Sequence, residues 1–486
     1  MSGDQIYEGD YGYGIQRAPM DMAALDYLRK WYCYGWAFRD ILKDRPAISI
    51  PDDHDVYHGN LWGAGGKATP PGLQGADAQD AGGYKMPPQW VNMVERTQTS
   101  HLPDPFDPTP VEQGIGVYYC EMDYAGISFA ILEDRKFKSA PKTQLPNAKI
   151  GNGWPQQENY NAAKQSDVPG AKLLGDRQLK FMHHWSIDWS NHTWMKVALS
   201  QTLFANVATL PRGAKSGSII PSLPILKADQ YPADDQPVSD HDSNGWPQSG
   251  RNRALREMRR CFALHIAGDQ HLGSTIQYGI DDWNDAAFAL CVPSISNYWP
   301  RRWYPSAPGK NQQPGAPKYT GEFNDGFGNK MTVHAVGNPT QTGKQPAILY
   351  DRASGYGIVR FNRNTRAITI ECWPRWSDPS QPDAVQYPGW PVNINQLDNY
   401  GRKAYGYLPK IQVAGMTDPI VQVIDQENGD VLYTLRIRGT SFQPWVFKDG
   451  IYRVHVGELG TDKVKVLRDL RPGKMAEGGG IVEIEL

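Results

Sequence analysis

Residues 52 to 55 read Asp52-Asp53-His54-Asp55 and follow directly on a short apolar run, Pro46-Ala47-Ile48-Ser49-Ile50. A strand that ends in packed carboxylates and an imidazole is how a layered α/β sheet sets ligands beyond the carboxyl ends of its strands. Such a pattern obliges the chain to bury an apolar sheet beneath an acidic rim. Two other segments repeat it. Gly3-Asp4-Gln5-Ile6-Tyr7-Glu8 stands near the N-terminus, and the apolar run 262–267 leads into Gly268-Asp269-Gln270-His271. One Gly-Asp turn alone is most often a turn or a helix cap. Three carboxylate-bearing turns in one chain point instead to a composite metal centre.

At 486 residues the chain exceeds the ordinary single domain, so one large domain with a smaller one appended is expected. A hydrophobic content of 40% is enough for a sizeable core. The formal net charge of −2 argues against nucleic acid as a partner, except as a phosphodiester substrate. No apolar run approaches the roughly 18 residues that span a bilayer, and no signal peptide is visible. Cys33, Cys120, Cys261, Cys291 and Cys372 are widely spaced without a Cys-x-x-Cys, which favours buried free thiols over disulfides.

Residues 20–43 read as an amphipathic helix with Ala24, Leu28, Trp31, Tyr32 and Trp36 on its apolar stripe. Strand 46–50 then completes a helix-to-strand passage of a layered α/β fold. Further helices are expected at 88–101, 175–189 and 251–261, the last with its arginines on a solvated face. The Pro-, Gly- and Trp-bearing stretches 59–88, 140–172 and 211–250 read as ordered insertions between core elements. The aromatic-basic run Tyr298-Trp299-Pro300-Arg301-Arg302-Trp303-Tyr304 either closes over the site or packs an irregular loop. Beyond about residue 330 helical periodicity gives way to strands at 331–336, 347–350, 356–361, 367–373 and 420–424. Asn428-Gly429 marks a hairpin.

The order Gly-Asp-x-x-Tyr, Asp-Asp-His-Asp, Gly-Asp-x-His resembles the calcineurin-like metallophosphoesterases, and within them the alkaline phosphatase D (PhoD-like) family. The strand pair around Val117 to Asp123 and Ile127 to Arg135, and the helix opening at Gly175-Asp176-Arg177, are similar to elements of that family. The resemblance implies an α/β, four-layer αββα sandwich over residues 1–375, followed by a C-terminal all-β sandwich over 408–486. It implies a phosphoric ester hydrolase of the alkaline phosphatase or phosphodiesterase type, acting on a phosphate-ester substrate through a dinuclear centre. A catalytically impaired phosphate- or surface-binding protein on the same scaffold is the alternative. Export to the periplasm or outside the cell is a further implication.

By that resemblance Asp4 bridges two ions, Tyr7 and Asp53 bind one each, and Asp269 with His271 completes the shell. Fe³⁺ with Ca²⁺ is the expected pair, with Zn²⁺, Mn²⁺ or Mg²⁺ as substitutes, because phenolate and carboxylate oxygens suit hard ions. His54 is the expected acid, oriented by Asp55. Arg135 and Asn60 are the expected substrate contacts. The superfamily takes its first ligand from a strand upstream of the Gly-Asp motif, so with Met1-Ser2 immediately before that motif the domain is expected to be N-terminally truncated and to lack this ligand.

Overall fold

The computed structural model describes residues 2–9, 15–473 and 480–486. Its centre is an eight-stranded mixed sheet in the spatial order Cys120–Tyr124, Ile127–Ile131, Met195–Thr202, Leu264–Gly268, Phe288–Cys291, Ser274–Tyr278, Lys330–Val336, Gly321–Asn324. The second to fifth of these run parallel, and the outer pairings are antiparallel. Parallel strands are joined by crossover connections that lie across the sheet, so such a sheet is covered on both faces.

Alternate residues of each strand point to opposite faces, and both faces are dry here. Ala130, Ala198 and Ala289 face the helices Gly175–Ile187 and Gln248–Arg260, whose Phe181, Met182, Trp185, Leu255 and Met258 fill the space the small residues leave. Their neighbours Ile127, Val197, Leu264 and Leu290 turn the other way. They pack on Ile368, Ile370 and Ile394 of a three-stranded antiparallel sheet formed by Gly355–Phe361, Ala367–Pro374 and Val392–Asn395. The result is a helix layer, a large mixed sheet and a smaller sheet.

The C-terminal strands Ile420–Asp425, Val431–Arg436, Tyr452–Gly457 and Val464–Leu470 form a four-stranded sheet, and Lys410–Ala414 pairs with Ser441–Phe442 and Ile481–Glu485. These strands share the apolar core of the helix layer. Phe262 packs against Tyr400, Tyr433 and Trp445. The buried Arg436 donates to the carbonyls of Thr193 at 2.7 Å and Trp189 at 3.0 Å, and pairs with Glu458.

Several local expectations are corrected. The run 46–50 is a single parallel bridge, Ser2 to Ile50, with Ile50 buried against Tyr118, Cys120 and Ile131. Residues 347–350 form a helical turn, Ala347–Tyr350, since a four-residue apolar run carries no period that separates helix from strand. The first helix, Met20–Ala37, buries Ala23 and Tyr27, while Leu28, Tyr32 and Trp36 of the expected stripe remain exposed. On Gln248–Arg260 the arginines split. Arg253 and Arg256 are exposed, but Arg251 is buried on the carbonyls of Phe204 and Gly279, and Arg259 pairs with Asp281 and Asp285. All five cysteines are free, four of them buried and Cys33 exposed, and no described helix is long and apolar enough to cross a membrane.

Candidate metal centre

The parallel strands Ile127–Ile131, Met195–Thr202 and Leu264–Gly268 end on one side of the sheet, and the acidic turns gather there. Two glycines bring them together. A Cβ on Gly268 would stand 2.5 Å from the Ser2 carbonyl oxygen, so only glycine lets the N-terminal segment cross the strand end. Gly3, at φ +93°, lies against Asp52, where a Cβ would meet Oδ2 at 2.6 Å. Asp4, Asp269 and His271 all sit at positive φ, of 55°, 61° and 52°. Non-glycine residues held there are uncommon, cost about 1 to 3 kcal/mol each, and cluster at functional sites.

Ligand atoms converge as a result. Asp4, Asp269 and His271 present theirs within 4.8 Å of one another, as do Asp4, Asp53 and His54, and as do Asp52, Asp53 and Asp269. Ligands on opposite sides of one ion lie about 4 Å apart, so each trio has the span of a coordination shell. Asp4 belongs to two of the trios. Tyr7, half exposed, donates its hydroxyl to Asp4 Oδ2 at 2.9 Å and stacks on the His54 ring at 4.3 Å.

The residues fit cations on their own chemistry. Asp4 Oδ1, Asp52 Oδ2, Asp53 Oδ1 and His271 Nδ1 are buried without a hydrogen-bond partner. Buried polar atoms are ordinarily paired, because an unpaired one loses its hydration for nothing. Burial, reinforced by the neighbouring carboxylates, pushes Asp52 and Asp53 well above the carboxylate range and raises Asp4 as well. Burial and the nearby Arg301 charge lower His271 to about 4, leaving it as the neutral imidazole that a metal requires. Asp269 goes the other way: burial works to raise it, but Arg135 and His271 together hold it below its ordinary value.

Arg135 is fully buried and does not face solvent. Its Nε donates to Asp52 at 2.7 Å, Nη1 to Asp242 at 2.6 Å, and Nη2 to Asp269 at 2.6 Å. The preceding Asp134 accepts from the backbone of Gln201 and Thr202, locking this arginine to the end of a central strand. Thr202 in turn donates to Asp269 at 3.0 Å. His54 is held by Glu8, with Nδ1 to Oε2 at 2.6 Å, rather than by Asp55. Asp55 accepts from the backbone of Ile6 and Asp52 and from Gln98, which ties the N-terminal segment to the 52–55 turn. Burial works to lower the His54 imidazole, but Asp53, Asp4 and Glu8 overcome it and raise it well above its ordinary value. Asn60 donates to the Asn152 carbonyl at 3.3 Å.

Glu8, Asp240, Asp242 and Arg301 were not singled out by the sequence reading. Asp240-His241-Asp242 repeats the Asp53-His54-Asp55 pattern inside the insertion 211–250, a signal that could have marked it. His241 itself is buried between the Gly153 carbonyl and Ser166.

No protein-family model matches the sequence, and no curated protein matches it. Among solved structures the chain is similar to one described as "Structure of PhoD", at 15% identity and a TM-score of 0.41, covering 79% of this chain and 67% of that one.

Proposed function

We propose that this protein is a metal-dependent phosphoric ester hydrolase of the PhoD type. The observation that carries the proposal is that Asp4 presents its carboxylate within 4.8 Å of the ligand atoms of Asp269 and His271 and, in a second group, of Asp53 with His54 beside it, the arrangement a shared carboxylate needs. Asp4, Asp53, Asp269, His271 and the Tyr7 hydroxyl would hold the ions, with Asp4 as the shared ligand. Fe³⁺ with Ca²⁺ suits this oxygen-rich set, with Zn²⁺, Mn²⁺ or Mg²⁺ as substitutes. When bound, a pair of such ions supplies Lewis acidity and lowers the pKa of a coordinated water. His54, its Nδ1 fixed on Glu8 and its face on Tyr7, directs its other nitrogen to a leaving oxygen as the proton donor. Asp55 sets the turn that carries it. The wider reading takes residues 1–375 as a four-layer αββα catalytic domain and 408–486 as an appended β-sandwich, in an exported protein.

A second reading, a phosphate-binding protein of impaired catalysis, is favoured by one observation: Arg135 already gives a fixed positive charge to Asp52 and Asp269, two members of the third trio. Metal analysis together with hydrolysis of p-nitrophenyl phosphate and bis(p-nitrophenyl) phosphate separates the readings. Two metals per chain with turnover, both lost in Asp4→Asn, supports the hydrolase. Metal and phosphate binding without turnover favours the binder, and absence of bound metal refutes both.

A further inference from the structure

Arg135 spends its donors on three aspartates, which leaves the recognition of a phosphoryl group to another cation. Arg301 stands beside the same centre with donors to spare. Its Nη2 donates to Asp240 Oδ2 at 2.9 Å, while Nε and Nη1, both buried, meet no acceptor among the described residues. A buried guanidinium N–H without an acceptor is costlier than a neutral one, and these two nitrogens carry three of them.

The position of Arg301 is set from both ends of its segment. Asn297 donates to the His271 carbonyl at 3.0 Å, so the segment starts on the turn that carries Asp269 and His271. Beyond it, Arg302 forks onto Asp235 at 2.9 and 2.8 Å, its carbonyl accepts from Thr209, and Trp303 is buried with its indole on the Tyr319 carbonyl. Of the two adjacent arginines one is therefore structural and the other is free to bind. The side chain of Arg301 keeps 12% exposure beside a buried Asp240. Its charge bears on both Asp269 and His271. Asn60 lies near the same Asp240: a Cβ on Gly153 would touch Asp240 Oδ1 at 3.2 Å and Asn60 Nδ2 at 3.4 Å. A guanidinium placed against a cation centre is repelled by it unless an anion lies between them.

We propose that Arg301 is the phosphoryl-binding guanidinium of this site: Asp240 accepts one N–H of Nη2, and N–H groups of the guanidinium that Asp240 leaves unpaired donate to the non-bridging oxygens of a phosphate ester. The assignment rests on the hydrolase reading for its substrate, but its binding half is tested without turnover. Inorganic phosphate is titrated into the metal-loaded protein by calorimetry and used as a competitive inhibitor of p-nitrophenyl phosphate hydrolysis. Arg301→Gln is expected to keep its bound metal while phosphate affinity falls about 10- to 100-fold and KM rises in parallel, with kcat less affected. Arg301→Lys, which keeps the charge on Asp240 but not the fork, also loses phosphate affinity, and it decides the question if the glutamine variant fails to fold. Unchanged phosphate affinity in the folded variants overturns the assignment, as does a wild-type protein that binds no phosphate. A wild type that binds phosphate through Arg301 yet turns over no ester upholds the assignment and refutes the hydrolase reading.

Discussion

Replacing Arg135 by Met removes one cation from among three carboxylates and so tests what holds the acidic centre together. The guanidinium makes ion pairs of 2.7, 2.6 and 2.6 Å to Asp52, Asp242 and Asp269, and it is 1% exposed. Deleting one partner of a buried ion pair costs about 3 to 5 kcal/mol, because an uncompensated charge is left behind. Three pairs share this single cation, and the orphaned carboxylates limit the damage by taking up protons at about 1.4 kcal/mol per pKa unit. We therefore expect a loss of about 3 to 5 kcal/mol at pH 8 in chelator-treated protein, a large part of a typical net stability of about 5 to 15 kcal/mol. The sign of the pH dependence follows from the carboxylates. Burial raises the Asp52 carboxyl against the pull of Arg135 and works the same way on Asp269, so removing the guanidinium shifts both upward. Stability from such groups is fully present below the unfolded pKa and is lost as pH rises through the folded one. The deficit against wild type must then shrink toward acid. In the wild-type protein Asp269 behaves oppositely, since its lowered pKa contributes stability above the unfolded value that is lost as pH falls. Urea unfolding followed by tryptophan fluorescence at pH 8 and pH 5.5 measures both effects. A loss below about 1 kcal/mol at pH 8, or a deficit that grows on acidification, refutes this account of Arg135.

Three other perturbations probe separate parts of the structure. His54→Ala is expected to abolish ester turnover while most bound metal stays, and elemental analysis showing parallel metal loss would reassign His54 as a ligand. Gly268→Ala puts a methyl group 2.5 Å from the Ser2 carbonyl oxygen, so it should cost about 1 to 3 kcal/mol by overpacking and loosen metal binding through Asp4, read as a shifted urea midpoint and a weaker metal titration. Glu95, buried beside Lys136 and Glu133, is pushed up to about 7 by burial. Its raised pKa makes the protein lose up to about 3 kcal/mol as pH rises from its ordinary 4.5 through 7, so a urea series across that range should flatten in Glu95→Gln.

What the sequence determined by itself is local chemistry and rhythm. Apolar runs ending in Gly-Asp or Asp-Asp-His-Asp identified the acidic turns, and the alternation beyond residue 330 identified strands, because side-chain periodicity and turn chemistry are written in adjacent residues. Asp4, Asp53, His54, Asp269 and His271 could be named as candidates from the turns they occupy, and their ligand atoms do meet. Which partner each residue takes was decided only by tertiary structure. Arg135 and Arg301 look alike in sequence, yet one is consumed by Asp52, Asp242 and Asp269 while the other keeps two donors free. Asp55 stands next to His54 in the chain, but Glu8, 46 residues away, reaches the imidazole. Arg251 reads as part of a solvated helix face and is buried on backbone carbonyls, while Arg302, next to Arg301 in the chain, is buried on Asp235. The physical reason is the same in each case: a charge or hydrogen-bond donor is satisfied by whatever lies within about 3 Å in space, and a distance of that kind is set by packing between segments far apart in the chain.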